Sequence, residues 1–111
     1  NYKSNMDEAF MRRFNAIIKF PFPAYTERKE IWDLSFPKNV KFKNDVDIPS
    51  IVAQYELSGG SITNVVQYAC IKMLSRNSDI IELEDVLKGI QREEEKIFKR
   101  FKSQIEVLNN L

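Results

Sequence analysis

From Ala24 onward, apolar residues recur at the spacing of one face of an α-helix, and this confines the chain to a mainly α fold. The clearest run is Ile62, Val65, Val66, Ala69, Cys70, Met73 and Leu74, which stays on one side of a 3.6-residue repeat and ends near Asn77. Upstream, Ile48, Ile51, Val52 and Tyr55 fall at i, i+3, i+4 and i+7, with Asp47 placed to cap and Pro49 tolerated in a first turn. A third segment offers Ile31, Trp32 and Leu34, with Thr26 as the expected N-cap and Phe36-Pro37 as its stop. The last helix starts near Glu84 and is expected to run unbroken. Its apolar positions are Val86, Leu87, Ile90, Ile97, Phe101, Ile105 and Leu108, with Glu84–Lys88 and Glu95–Lys99 as supporting pairs.

Four such helices can close one modest core. Between them, "KNVKFKND" reads as a polar, basic linker, "LSGGS" as an interruption and "IIEL" as a short apolar turn. Residues 1–23 differ in character. "SNMDEAFMRRF" predicts a short helix capped by Asn5 with Glu8 three residues on, and "AIIKFPF" predicts a short buried strand stopped by Pro21 and Pro23. No other convincing strand follows, so that strand needs a partner from elsewhere. The expected division is therefore 1–23, a helix-strand piece, and 24–111, a helical domain ending in a long helix.

Composition removes several classes of chemistry. The 111 residues contain no histidine and one cysteine, Cys70. Triads built on histidine, disulfide frameworks and most zinc sites are excluded together. The net charge of +1 gives no general field for DNA, RNA or an anionic membrane. The longest apolar run, "VVQYACIKML", is interrupted by Gln67 and Lys72 and is too short to span a bilayer, and no signal peptide is visible.

Two stretches carry a resemblance. "NYKSNMDEAFMRRF…IIKFPFP" resembles the second half of the ATPase core of AAA+ proteins, within the AAA family proper. Asn1, Met6, Asp7, Ala9, Phe10, Arg12, Arg13 and Phe14 match that family's pattern in order and spacing. "ELSGGSI" before a long helix is similar to the "SGA-acidic-hydrophobic" segment of the family's helical lid. The resemblance spans nearly the whole chain. It implies a four-helix lid domain over 24–111, preceded by the last helix and strand of an α/β nucleotide-binding domain.

The same resemblance implies roles. Arg12 and Arg13 correspond to arginines at the subunit boundary that reach the γ-phosphate of ATP in the neighbouring subunit. Arginine suits this, because it stays charged and offers a planar fork to phosphate oxygens. Many relatives separate the two arginines by a short glycine-containing insert; here they adjoin, so either could act. Taken without the family, they read as solvated residues or partners of Glu8 or Glu27. Asn1 corresponds to the polar sensor that positions the attacking water. Gly59, Gly60 and Ser61 correspond to the lid segment facing adenine and ribose; Ser61 stands where some AAA+ branches carry a phosphate-contacting arginine. Taken alone, "LSGGS" reads as helix punctuation, with Ser58 as N-cap and the glycines as a flexible turn.

No G-x-x-x-x-G-K-[ST] phosphate loop is present, nor a hydrophobic strand ending in paired acids. The expectation is a C-terminal part of a larger cytoplasmic ATPase. ATP and Mg2+ would be bound by the full-length protein and not tightly by these residues alone, and no metal ligands are assigned here. The resemblance further implies a homo-oligomer, as a hexameric ring, that remodels a macromolecular substrate. Rival readings are a helical adaptor, or a DNA-binding module using "LSGGSITNVVQY" as turn and recognition helix. The near-zero charge and the lack of Arg or Lys before Lys72 stand against DNA. Trp32, Tyr55, Tyr68 and Phe98 read as packing residues, and Cys70 as an inert core thiol.

Overall fold

The computed structural model describes residues 22–110, the side chains of Ile105 and Leu108 excepted. The expected Asn5-capped helix, the strand in "AIIKFPF", and Asn1, Arg12 and Arg13 lie outside the described residues. The elements are α1 (Tyr25–Ser35), β1 (Lys41–Phe42), a 3-10 turn (Lys43–Asp45), α2 (Ile48–Val52), α3 (Gly59–Ser75), β2 (Ile80–Ile81), α4 (Leu83–Arg100) and α5 (Lys102–Asn109). They fall into two compact units. One is Phe22–Glu93, and the described part of the other runs from Glu94 to Asn110.

In the first unit, α1 is capped by Ala24 and not by Thr26, which is the second helical residue. Glu27 explains the difference: its Oε1 accepts the Ala24 N–H at 3.1 Å, closing the helix start without a capping hydroxyl. Trp32 is fully buried and Ile31 packs on the core, but Leu34 is 78% exposed, against expectation. Leu34 is two residues from Trp32 and so points to the far side of the helix. The helix stops at Phe36, whose extended backbone is the conformation that a following proline favours.

The expected linker "KNVKFKND" holds structure. Lys41 and Phe42 pair in parallel with Ile80 and Ile81, where a simple apolar turn was expected, and the Lys41 N–H donates to the Asp79 carbonyl at 2.8 Å. The alternation of a strand turns Lys41 outward and half-buries Phe42, whose ring meets Phe36 edge-on at 5.1 Å. Phe36 in turn stacks on Trp32 at 6.0 Å. Asn44 and Asp45 then turn the chain at φ 60° and 53°, in the left-handed region that short polar side chains tolerate.

Asp47 caps α2 as expected, accepting from the Ser50 N–H at 3.4 Å and the Ser50 hydroxyl at 2.6 Å. Ile48 and Val52 are fully buried. The helix is shorter than its apolar pattern suggests, and Tyr55 lies beyond it, partly packed on the core. The Ala53 carbonyl, which a longer helix would engage, accepts instead from Arg28 Nε at 2.8 Å.

In α3, Ile62, Val65, Val66, Ala69 and Met73 face the core, while Leu74 is 64% exposed. Cys70 is half-buried, and burial pushes its thiol pKa up. Asn77, at φ 53°, closes the helix. Its N–H donates to the Leu74 carbonyl at 2.9 Å, and the Ser78 N–H donates to Met73 at 3.2 Å, a Schellman arrangement with asparagine in the left-handed position.

Val86 and Ile90 bring α4 onto the same core, and Lys88 pairs with Glu84 at 3.2 Å as expected. A polar clasp joins the ends of α3 and α4: Arg76 reaches Asp85 at 2.7 Å and Glu82 at 3.3 Å, and Lys43 reaches Glu82 at 3.5 Å. In the second unit, the last turns of α4 lead through Phe101 into α5, so the expected unbroken helix is divided. Phe101 and Ser103, at the break, are weaker helix formers than the Lys, Arg and Glu before them.

Candidate functional site

Of the expected site residues, Gly59, Gly60 and Ser61 are described, and they occupy the first three positions of α3. Asn1, Arg12 and Arg13 lie outside the described residues, so their relation to this helix start is not part of the structure. The glycines are not a flexible turn; they are helical. The reason is local, because Ser58 is extended and its Oγ accepts the Ser61 N–H at 3.1 Å, which begins the helix at Gly59. The Ile62 N–H closes the first intrahelical bond to the Ser58 carbonyl at 3.0 Å. Thr63 Oγ1 donates to the Gly59 carbonyl at 3.1 Å.

Among the described residues, nothing in the geometry requires either glycine. No glycine has a positive φ. A β-carbon on Gly59 would come no nearer than 3.8 Å to Ile31 Cδ1, and one on Gly60 would lie 4.0 Å from Ser58 Oγ, both within ordinary contact. Glycine at such positions weakens a helix relative to alanine by about 1 kcal/mol in its interior, and less near its start. Two glycines together, in helical conformation and with space for a β-carbon among the described residues, leave a backbone surface bare of side chains. The Ser61 amide is answered by Ser58; the amides of Gly59 and Gly60 have no acceptor among the described residues. The first turn of α3 contains no acidic side chain, so the helix does not itself offset the positive end of its dipole.

The surroundings are fixed by polar contacts that the sequence did not advertise. Asn64 Nδ2 donates to Glu93 Oε1 at 3.1 Å, tying the second turn of α3 to α4. Arg28 is nearly buried, and its guanidinium donates to the Ala53 carbonyl at 2.8 Å and the Pro23 carbonyl at 2.6 Å. It therefore holds the chain leading into α1 against the end of α2. A signal existed in the pattern: Arg28 lies four residues before Trp32 and three before Ile31, on the apolar side of α1. Trp32 and Tyr55 pack as expected; Trp32 Nε1 is buried without a hydrogen-bond partner among the described residues.

Among the described residues, no three His, Cys, Asp or Glu side chains gather to hold a metal ion. No helix among them is long and apolar enough to cross a membrane.

No family model matches the chain. It is 32% identical over 98 residues to the proteasome-activating nucleotidase of Aeropyrum pernix, an alignment covering 86% of this chain and 24% of that protein. It is 30% identical over 95 residues to the katanin p60 ATPase-containing subunit A1 of Strongylocentrotus purpuratus, covering 85% of this chain and 18% of that protein. The chain thus spans a quarter or less of the length of these relatives.

Proposed function

This chain belongs to the AAA+ ATPases and matches their C-terminal region, and from that premise we propose that residues 24–111 are the helical lid of an ATP-hydrolysing protein and residues 1–23 the end of its nucleotide-binding domain. The start of α3 is the nucleotide-facing surface of that lid. The observation that supports this reading is the pair Gly59–Gly60, helical and unstrained, with room for β-carbons and with amides that meet no acceptor among the described residues. A planar base and a ribose can approach such a backbone more closely than one clothed in side chains. The residues present therefore fit a nucleotide at this edge, with Ser61 as a further hydroxyl donor or acceptor. Phosphate and Mg2+ are to be held by a phosphate loop that this sequence does not contain.

Asn1 orients the attacking water in this reading, and Arg12 or Arg13 stabilises the phosphoryl group of the adjacent subunit in a ring, of six copies on the family pattern. Nucleotide-driven movement of the lid acts on a macromolecular substrate. The DNA-binding alternative gains no support from α3, which carries no Arg or Lys from Gly59 to Ile71.

The test is Gly60→Val in the full-length protein. A β-carbon at Gly60 meets nothing nearer than Ser58 Oγ at 4.0 Å among the described residues, and the position is exposed, so the thermal midpoint should stay within about 2 °C while ATP binding weakens at least about tenfold. Unchanged nucleotide affinity in a folded Gly60→Val protein would remove α3 from the site.

A further inference from the structure

Tyr68 lies where α3 and α4 approach each other, and two cations share its ring. Arg92 Cζ, from α4, is 4.8 Å from the ring centroid, and Lys72 Nζ, one turn along α3, is 5.5 Å from it. Gly89 permits this arrangement, since a β-carbon there would stand 3.3 Å from Tyr68 Cδ1. Lys88, next to Gly89, is the third cation of the group, and it is engaged by Glu84 at 3.2 Å. Lys72 and Arg92 differ from it: neither has an acidic partner among the described residues, and both are exposed. An aromatic ring attracts cations without neutralising them, so an anion that reaches both side chains gains from each charge. Beside them on α3, Ile71 is 66% exposed. Of the nearby acids, Asp85 pairs with Arg76, Glu84 with Lys88, and Glu93 accepts from Asn64.

We propose that Tyr68, Lys72, Arg92 and Ile71 form a docking surface for an acidic polypeptide segment of a partner protein, one carrying an apolar residue beside its carboxylates. The paired cations take the carboxylates, and Tyr68 with Ile71 receives the apolar side chain. A peptide fits better than a nucleic acid. The positive cluster is short and flanked by Glu84, Glu93, Glu94 and Glu95 on the same helix, and the chain's net charge is only +1, so no continuous track exists for a phosphate backbone. This surface is separate from the start of α3 and does not depend on how nucleotide is bound.

The experiment measures fluorescence anisotropy of a labelled twelve-residue peptide repeating Glu-Glu-Leu, titrated with the 111-residue chain at low salt. A Lys72→Glu, Arg92→Glu variant should weaken binding at least about tenfold, and Lys72→Gln, Arg92→Gln should weaken it less. Lys38→Glu, Lys41→Glu, with the same change in net charge, should leave it within about twofold. An all-glutamate peptide of equal length should bind more weakly than the leucine-containing one. Absence of binding overturns the proposal, as does equal loss in the Lys38, Lys41 control. Tighter binding of an oligothymidylate through Lys72 and Arg92 would assign the surface to nucleic acid instead. Self-association of the chain that the Lys72, Arg92 variant abolishes would assign it to a second copy.

Discussion

Gly89 on α4 sits so close to Val65 on α3 that a β-carbon on the glycine would lie 2.9 Å from Val65 Cγ1 and 3.4 Å from Val65 Cα. Val65 is fully buried and, being β-branched, has little rotamer freedom in a helix, so it cannot yield cheaply. Gly89→Ala should therefore destabilise the chain even though alanine favours the helix by about 1 kcal/mol. Overpacking costs about 1–3 kcal/mol, and the net effect should be a lower thermal midpoint by circular dichroism. Gly89→Val should be worse. A midpoint that rises with Gly89→Ala would mean that the two helices separate without cost.

Removing the Arg28 guanidinium should expose how much the start of α1 depends on it. Arg28→Met keeps the aliphatic stem but leaves the Ala53 and Pro23 carbonyls without their donor. The expected loss is about 1.5–3 kcal/mol by urea denaturation. Arg28→Lys should restore only part of it, because one ammonium cannot reproduce the two directions of the fork. Equal stability of Arg28→Met and wild type would show the contacts to be dispensable.

Asp47 predicts a pH dependence. Hydrogen bonds from the Ser50 hydroxyl and N–H hold its carboxyl below the ordinary value of 3.8. A depressed folded pKa contributes stability that is fully present above 3.8 and is lost as pH falls through the lower folded value. Asp47→Asn keeps a capping oxygen but does not titrate. Stability measured against acid should show the wild type losing an increment over that window that Asp47→Asn does not lose. Parallel acid profiles for the two proteins would contradict the assignment.

On the function proposed above, Arg12→Ala, Arg13→Ala in the full-length protein should lower kcat by about 10³–10⁵ with little change in ATP affinity, since the charge that such arginines would stabilise develops in the transition state. Mixing this variant with one lacking the phosphate-loop lysine should restore part of the hydrolysis, because some interfaces then pair an intact arginine with an intact loop. Confirmed mixed assembly without recovery would exclude action in trans.

What the sequence disclosed follows from where the determinants lie. The starts of α2 and α3 were legible because their caps, Asp47 and Ser58, are side chains that act within three residues. The cap of α1 was misplaced because the contact that decides it, Glu27 to the Ala24 amide, leaves the preferred hydroxyl of Thr26 unused. β1 was read as linker because two residues carry no period, and their pairing depends on Ile80 and Ile81, far along the chain. Arg28 drew no reading from the sequence, since arginine is a surface residue by default and the Ala53 and Pro23 carbonyls that it serves lie outside any local pattern. At the candidate site, Gly59 and Gly60 were visible as residues, but their helical geometry was not, because glycine permits almost any backbone. The exposed positions Leu34 and Leu74 were overcounted as core, since a leucine's type does not reveal its direction.

The parallel pairing of Lys41 with Ile80 sets an order for folding. Those residues enclose α2 and α3 within one long loop, and closing it costs chain entropy before any ladder bond repays it. Contacts between helices adjacent in sequence can form early; the two-residue ladder must wait until α3 is docked and its Asn77 turn has aimed the chain back. The Lys41 amide, bonded to Asp79 across that closure, should then exchange its hydrogen when the ladder opens, and so reports the closure of that loop from a single site.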